Sequence, residues 1–284
     1  MTPRTGTTLG LLLPAGLVIG LFGAALLDLF SVSVLTNVRP GTPGAPDFTL
    51  ANYAKVFGDP LYFGSLWVTL RLSLITTVAS LVLGVPLTYW IVRTGSRRTR
   101  AALIILVAIP FMTSLIVRLY ALMLVLGNTG LVNRTLQYLG VIDANAFVAL
   151  IRNELSVSIG LTYFVLPFVI FTLAGSFRRF DRTLEEAAQS LGADEVTAFF
   201  RITLPLLMPG IVGAATLAFV LAGTAFATPL ILGGSAVRMI ANMIYDQALA
   251  MNNKPMAGAL AVVAMAFTFA LLYIGTRRRG AGYA

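Results

Sequence analysis

The sequence predicts an all-α polytopic membrane protein with six transmembrane helices. Three observations carry that prediction. Hydrophobic residues make up 58% of the 284 and charged residues only 11%, against about 25% charged in an average globular domain. Mean hydropathy is +0.89. Six apolar runs each reach the ~20 residues needed to cross a bilayer core.

The first run, residues 9–35, is longer than the ~7–15 residues of a signal-peptide core. It has no clear small-x-small cleavage site, so it reads as an uncleaved first span. The others cover roughly 65–92, 102–126, 147–175, 206–232 and 257–275. Connections are short, so residues 1–284 read as one transmembrane domain. Pro14, Pro86, Pro110, Pro167, Pro209 and Pro229 punctuate the spans. Each frees a backbone carbonyl that neighbouring helices or water must satisfy. They read either as hinges or as the ordinary prolines of membrane helices.

Loop charge orients the spans. One side holds Arg4, Arg93, Arg97, Arg98, Arg100, Arg178, Arg179, Arg182, Arg201, Arg277, Arg278 and Arg279. The other holds Arg39, Lys55, Arg134, Arg238 and Lys254. The richer side is expected to be cytoplasmic. Six spans then put both termini there, together with the 178–205 loop. The net charge of +9 sits in short clusters between apolar runs and forms no stripe, so nucleic acid is not an expected partner.

That loop carries the sharpest motif. Residues 186–205 read EAAQSLGADEVTAFFRITLP. Glu186, Ala187, Ala188, Gly192, Ile202, Leu204 and Pro205 fit E-A-A, three residues, G, nine residues, I-x-L-P without a gap. Thr183 with Glu186 fits a capping box, opening a helix that runs to about Ser190. Gly192 suits the left-handed position after it. Ala193 continues the turn, Asp194 can cap a second helix, and Pro205 is expected to stop that helix. Helix, turn and helix make a rigid elbow. The small Ala187 and Ala188 allow close backbone approach. Val196, Phe199 and Phe200 are apolar in a loop facing water, so they pack back on the bundle or meet a partner. Helix caps alone would not require Ala-Ala or the distant I-x-L-P.

The pattern resembles the EAA loop of binding-protein-dependent ABC importer permeases of type I. Other stretches resemble the spermidine/putrescine branch: TLRLSLITTVASLVLGVPLTYW (69–90), IVRLYALMLVLGNTGLVN (116–133), YFVLPFVIFTL (163–173) and FATPLILGG (226–234). Relatives with this pattern also import amino-acid-like and phosphonate solutes. The resemblance implies a permease that forms half of a translocation path for a small organic solute in the bacterial cytoplasmic membrane. It implies two ABC ATPase subunits below the permease pair, the elbow inserting into a groove on the ATPase, with ATP and Mg on those subunits and no cofactor on this chain. It also implies a solute-binding protein and a second permease; a heterodimer is expected, with a homodimer as the alternative. The Gly-Gly after the fifth span resembles the first of the two permeases usually paired.

Asp28, Arg71, Arg118, Arg152 and Glu154 fall inside the expected spans, and depths at ~1.5 Å per residue put all five in the outer half. Intramembrane charges usually face the bundle interior or a water-filled cavity. They are expected to form a lattice, with Arg152 or Arg118 paired to Asp28 or Glu154, or else to line a solute vestibule. Tyr120, Tyr163, Phe226 and Thr228 join them as candidate path residues, and Tyr89 and Trp90 are further aromatic candidates for a cation. Cysteine and histidine are both absent, so no thiolate or imidazole metal site is expected. Lys55 and Lys254 follow Ala54 and Asn253, which is no phosphate-binding P-loop. The alternatives are a passive channel or secondary transporter, which needs no docking elbow, and a membrane-embedded enzyme, which needs clustered carboxylates or histidine. Co-purification with an ATPase separates all three.

Overall fold

The computed structural model describes residues 5–38, 45–143, 145–178, 181 and 183–277. Arg4, Arg39, Arg179, Arg182, Arg278 and Arg279, counted above among the loop charges, lie outside the described residues. Twelve helices follow one another among them: α1 Thr5–Ser33, α2 Ala51–Gly58, α3 Pro60–Arg93, α4 Arg97–Met112, α5 Leu115–Leu126, α6 Leu131–Tyr138, α7 Glu154–Phe177, α8 Thr183–Ser190, α9 Glu195–Ala198, α10 Leu204–Gly223, α11 Ile240–Tyr245 and α12 Lys254–Arg277. Six helical stretches are long and apolar enough to cross a membrane.

Three expected spans differ in shape. The run 102–126 breaks at Thr113 and Ser114, where Pro110 near the end of α4 cannot donate to the ladder and Thr113 turns to extended backbone. The run 147–175 becomes helical only at Glu154, after an irregular stretch 145–153. The run 206–232 ends at Gly223; the chain opens at Thr224–Phe226 and re-enters a π turn, Pro229–Gly233.

The chain divides into two compact units, Met1–Leu66 with Ile240–Tyr273 and Trp67–Met239 with Ile274–Ala284. In the first, Val56, Ile240, Met243, Met256, Ala259 and Leu260 form the core. Asn52 donates to the carbonyls of Ser33 and Leu35 at 3.0 and 2.9 Å, which satisfies acceptors left open where α1 ends. Gly258 lets α12 cross there: a Cβ on it would lie 3.3 Å from Ser33 Cα.

In the second unit α7 is the spine. Val157, Leu161, Val165, Val169, Leu173 and Phe177 recur every fourth residue, and all are buried. They pack against Leu207, Ala214, Ala218 and Ala222 of α10. Helices in lipid gain little from apolar burial against each other and approach through small residues instead. Gly210 does this most sharply, since a Cβ there would come within 2.2 Å of Ser176 Oγ.

The coupling elbow and the candidate solute path

Between α7 and α10 the chain forms the expected elbow, with one change at its start. Thr183 is already inside α8. Asp181 supplies the cap, its Oδ1 accepting the Thr183 N–H at 3.0 Å. Asp and Asn readily form such short-range turns. The Asp181 carboxyl is held below the ordinary carboxylate range by the Thr183 backbone N–H first and the Thr183 hydroxyl second. The Thr183–Glu186 box is therefore replaced by an aspartate two residues earlier.

The end of α8 follows expectation. Gly192 has φ +95°. Ala193 N–H donates to Ala188 O at 3.1 Å and Gly192 N–H to Gln189 O at 3.0 Å, the paired bonds of a Schellman turn. Asp194 then occupies the N-cap of α9 with extended backbone. Its carboxyl is held below the ordinary range, chiefly by the Thr197 hydroxyl.

Pro205 does not stop the second helix. Residues Glu195–Ala198 run through a π turn, Phe199–Thr203, straight into α10, where Pro205 sits in the first turn. Leu204 N–H donates to Phe199 O, five residues back. This wider turn places the seam between two ladders where proline's missing donor would otherwise leave a gap. Ile202 and Leu204 are half-buried along this junction, and Pro205 is exposed.

The residue that fixes the elbow was not singled out from sequence. Glu185, at 1% exposure, turns inward while its neighbours Leu184 and Glu186 are exposed. It forms an ion pair with Arg93 at the end of α3. Its Oε1 accepts the Thr203 hydroxyl at 2.7 Å and the Tyr89 hydroxyl at 3.1 Å. The Arg93 guanidinium also lies 5.1 Å from the Tyr89 ring centre. Phe199 meets the same ring edge-on at 4.9 Å. Tyr89 is thus part of the elbow's anchor rather than a platform for a solute cation. One carboxylate joins α8 to α3 and to the π turn: Oε1 takes both hydroxyls and Oε2 has the Arg93 guanidinium as its ion-pair partner, and a buried charge persists only when paired.

Four large apolar side chains stand on the elbow's surface, among the exposed polar residues Glu186, Gln189, Ser190, Asp194 and Glu195. Leu184, Leu191, Val196 and Phe200 are exposed by 47%, 90%, 61% and 59%. Phe199 packs back on the bundle against Tyr89, and Phe200 is exposed. Glu186 and Ala187 lie beside that surface and Ala188 is half-buried.

The charge layer is rearranged from the expected lattice. Glu154, in the first turn of α7, pairs with Arg71 of α3 and not with Arg118 or Arg152. Arg152 lies before the helix, left-handed at φ +58°, its N–H donating to Leu232 O at 2.8 Å. Asn153 caps α7 and Ser156 reaches the same Leu232 carbonyl at 3.0 Å. This stretch therefore anchors the re-entrant π turn. Arg118, on α5, has its Nε buried without a hydrogen-bond partner among the described residues. Asp28 is exposed on α1 and shows no ion pair among them. Tyr120 and Tyr163 are exposed on α5 and α7, and Phe226 is half-buried in the break after α10. Thr228 is buried and serves packing: a Cβ on Gly160 would lie 2.8 Å from its methyl group.

Comparison with known proteins matches this architecture. The family described as "Binding-protein-dependent transport system inner membrane component" covers residues 63–278. The chain is 37% identical over 215 residues to the spermidine/putrescine transport system permease protein PotB of Escherichia coli (strain K12), covering 76% of this chain and 77% of that one. It is 34% identical over 236 residues to PotB of Haemophilus influenzae, covering 83% and 81%. It is 32% identical over 245 residues to the inner membrane ABC transporter permease protein YdcU of Escherichia coli (strain K12), covering 83% and 77%. A bacterial ABC transporter that imports the acidic polysaccharide alginate shares the fold, with a TM-score of 0.75 at 18% identity over 96% of each chain. With the family matched across most of its length, the chain belongs to the binding-protein-dependent inner membrane components: it is a multi-pass permease subunit of an ABC importer, a transport subunit and not an enzyme.

Proposed function

We propose that this permease forms half of the import path for polyamines or a related small organic cation. A solute-binding protein delivers the solute, a second, non-identical permease completes the path, and of the two ATPases below the pair one grips this elbow between about Glu186 and Phe200. Glu186, Ala187, Ala188, Gly192, Ala193, Asp194, Val196 and Phe200 shape or line the gripping surface. Ile202, Leu204 and Pro205 join it to α10. The elbow and both termini face the cytoplasm, on the arginine-rich side.

The observation that carries the coupling role is the inversion at positions 184 and 185. A water-facing segment that buries Glu185 and exposes Leu184, Leu191, Val196 and Phe200 is shaped for a protein partner. Movement of that surface passes through Glu185 to Arg93 and Tyr89 on α3, and through the unbroken helical path into α10. Co-purification with the ATPases, and its loss in Leu184→Asp/Val196→Asp, tests the reading. Undiminished co-purification overturns it.

The polyamine assignment is supported by the names of the relatives above. Arg118, half-buried with its Nε lacking a hydrogen-bond partner among the described residues, favours a different solute, one carrying a carboxylate or phosphonate. Uptake of labelled spermidine by cells expressing the complete importer decides between them. Saturable uptake that excess putrescine blocks supports the polyamine; no spermidine uptake, with saturable uptake of a labelled carboxylate or phosphonate, supports the second.

A further inference from the structure

A groove of about 400 Å³ lies among α3, α4 and α7 of the second unit, at the end where the elbow begins. Ile91, Ile104, Val107 and Phe171 give it apolar walls, and Arg100 and Arg178 line it as well. Arg100 stands in the first turn of α4, and Arg178 caps the C-terminus of α7. Both guanidiniums therefore rise from the same end. Arg100 Nη2 donates to Thr94 O at 2.8 Å, which uses one of the five donors of an arginine. Neither arginine pairs with a carboxylate among the described residues. Two uncompensated cations thus share a groove whose remaining walls are apolar.

We propose that this groove binds an anionic phospholipid of the adjoining leaflet. The phosphate bridges Arg100 and Arg178, because arginine donates to phosphate through charge-assisted, often paired hydrogen bonds. Part of an acyl chain lies against Ile104, Val107 and Phe171. The groove is too small for a whole lipid; the rest of the chain continues past Phe111, two turns along α4 on the same face as Ile104, 38% exposed and packed beside Phe171. Basic pockets between membrane helices select anionic head groups in this way, whereas a zwitterionic head group brings its own cation against the arginines. Arg178 immediately precedes the elbow, so the lipid tethers the stem of the coupling segment to the membrane surface.

The assembled importer, exchanged into nanodiscs of phosphatidylcholine with a minor fraction of phosphatidylglycerol and then re-extracted, is expected to retain phosphatidylglycerol preferentially by native mass spectrometry. Arg100→Gln/Arg178→Gln removes two charge-assisted contacts and lowers that enrichment roughly tenfold or more. Gly175→Leu fills the groove while leaving both arginines. A Cβ there meets nothing within 4 Å, so the fold accepts it, and the same loss is expected. Should the double variant not assemble, Gly175→Leu decides alone. The proposal fails if the wild-type complex shows no preference, as when a partner subunit covers the groove. It fails equally if both variants keep the preference, or if only the arginine variant loses it, which would mark a diffuse surface charge.

Discussion

Replacing Glu185 by alanine removes the single carboxylate that joins α8 to α3 and to the π turn. The glutamate side chain is 2% exposed and the Arg93 side chain 22%. Breaking a buried ion pair from one side costs about 3–5 kcal/mol. Arg93 keeps some access to water, which moves the expected cost towards the lower end. The Thr203 hydroxyl, fully buried, also loses its acceptor and cannot turn to solvent, adding about 1 kcal/mol. A loss of about 3–4 kcal/mol is expected, measured as unfolding of the purified complex in denaturant. Glu185→Gln keeps an acceptor for Thr203 and Tyr89 but drops the charge, and should lose about half as much. The cycle with Arg93→Ala should be strongly non-additive, since both changes break one contact. On the proposed coupling role, solute-stimulated ATPase activity should fall with the stability. Leu184→Ala, one residue away and exposed, should leave stability within about 0.5 kcal/mol and still weaken coupling. Glu185→Ala with wild-type stability and wild-type stimulation would refute the anchoring role.

Three further outcomes are expected. Gly192→Ala forces a side chain into φ +95° and should cost about 1–2 kcal/mol locally, lowering ATPase stimulation while membrane insertion, judged by expression in the membrane fraction, stays normal. Arg118→Ala removes a guanidinium whose Nε has no partner among the described residues, so thermal stability should hold while solute uptake falls; a clear loss of stability would show that Arg118 is structural. A cysteine at Gly95 should resist an impermeant thiol reagent in intact cells and one at Met251 should react, the absence of native cysteine keeping the background clean; labelling in the opposite sense overturns the orientation.

Much of this architecture was legible because it follows from hydropathy and from glycine. That six stretches are long and apolar enough to cross a membrane follows from length and apolarity; where three of them start and stop does not. The left-handed turn at Gly192 follows from a fixed motif and the one residue that adopts it at little cost. Other features depend on contacts far away in sequence. Local capping chemistry offers both Asp181 and Thr183 as the start of α8, and only the fold chooses. Residues 184 and 185 differ oppositely from hydrophobic patterning, because an inward glutamate makes sense only once Arg93 is known to wait for it. Pro205 reads as a stop until the π turn absorbs its missing donor. Arg152 and Thr228 read as intramembrane path residues by position alone; their backbone and packing roles arise from the re-entrant segment at Pro229–Gly233, which apolar composition hides.

The π turn at Phe199–Thr203 also sets a phase. A π turn is an α-helix carrying one surplus residue, and each residue of an α-helix advances the chain by about 100°. The azimuth of α9 and its apolar side chains about the α10 axis is therefore set by a one-residue difference. Removing a residue there would restore a regular helix and swing Val196 and Phe200 through about a quarter turn about the α10 axis. The helices inside the membrane would be untouched, yet the two halves of the machine would no longer be in gear.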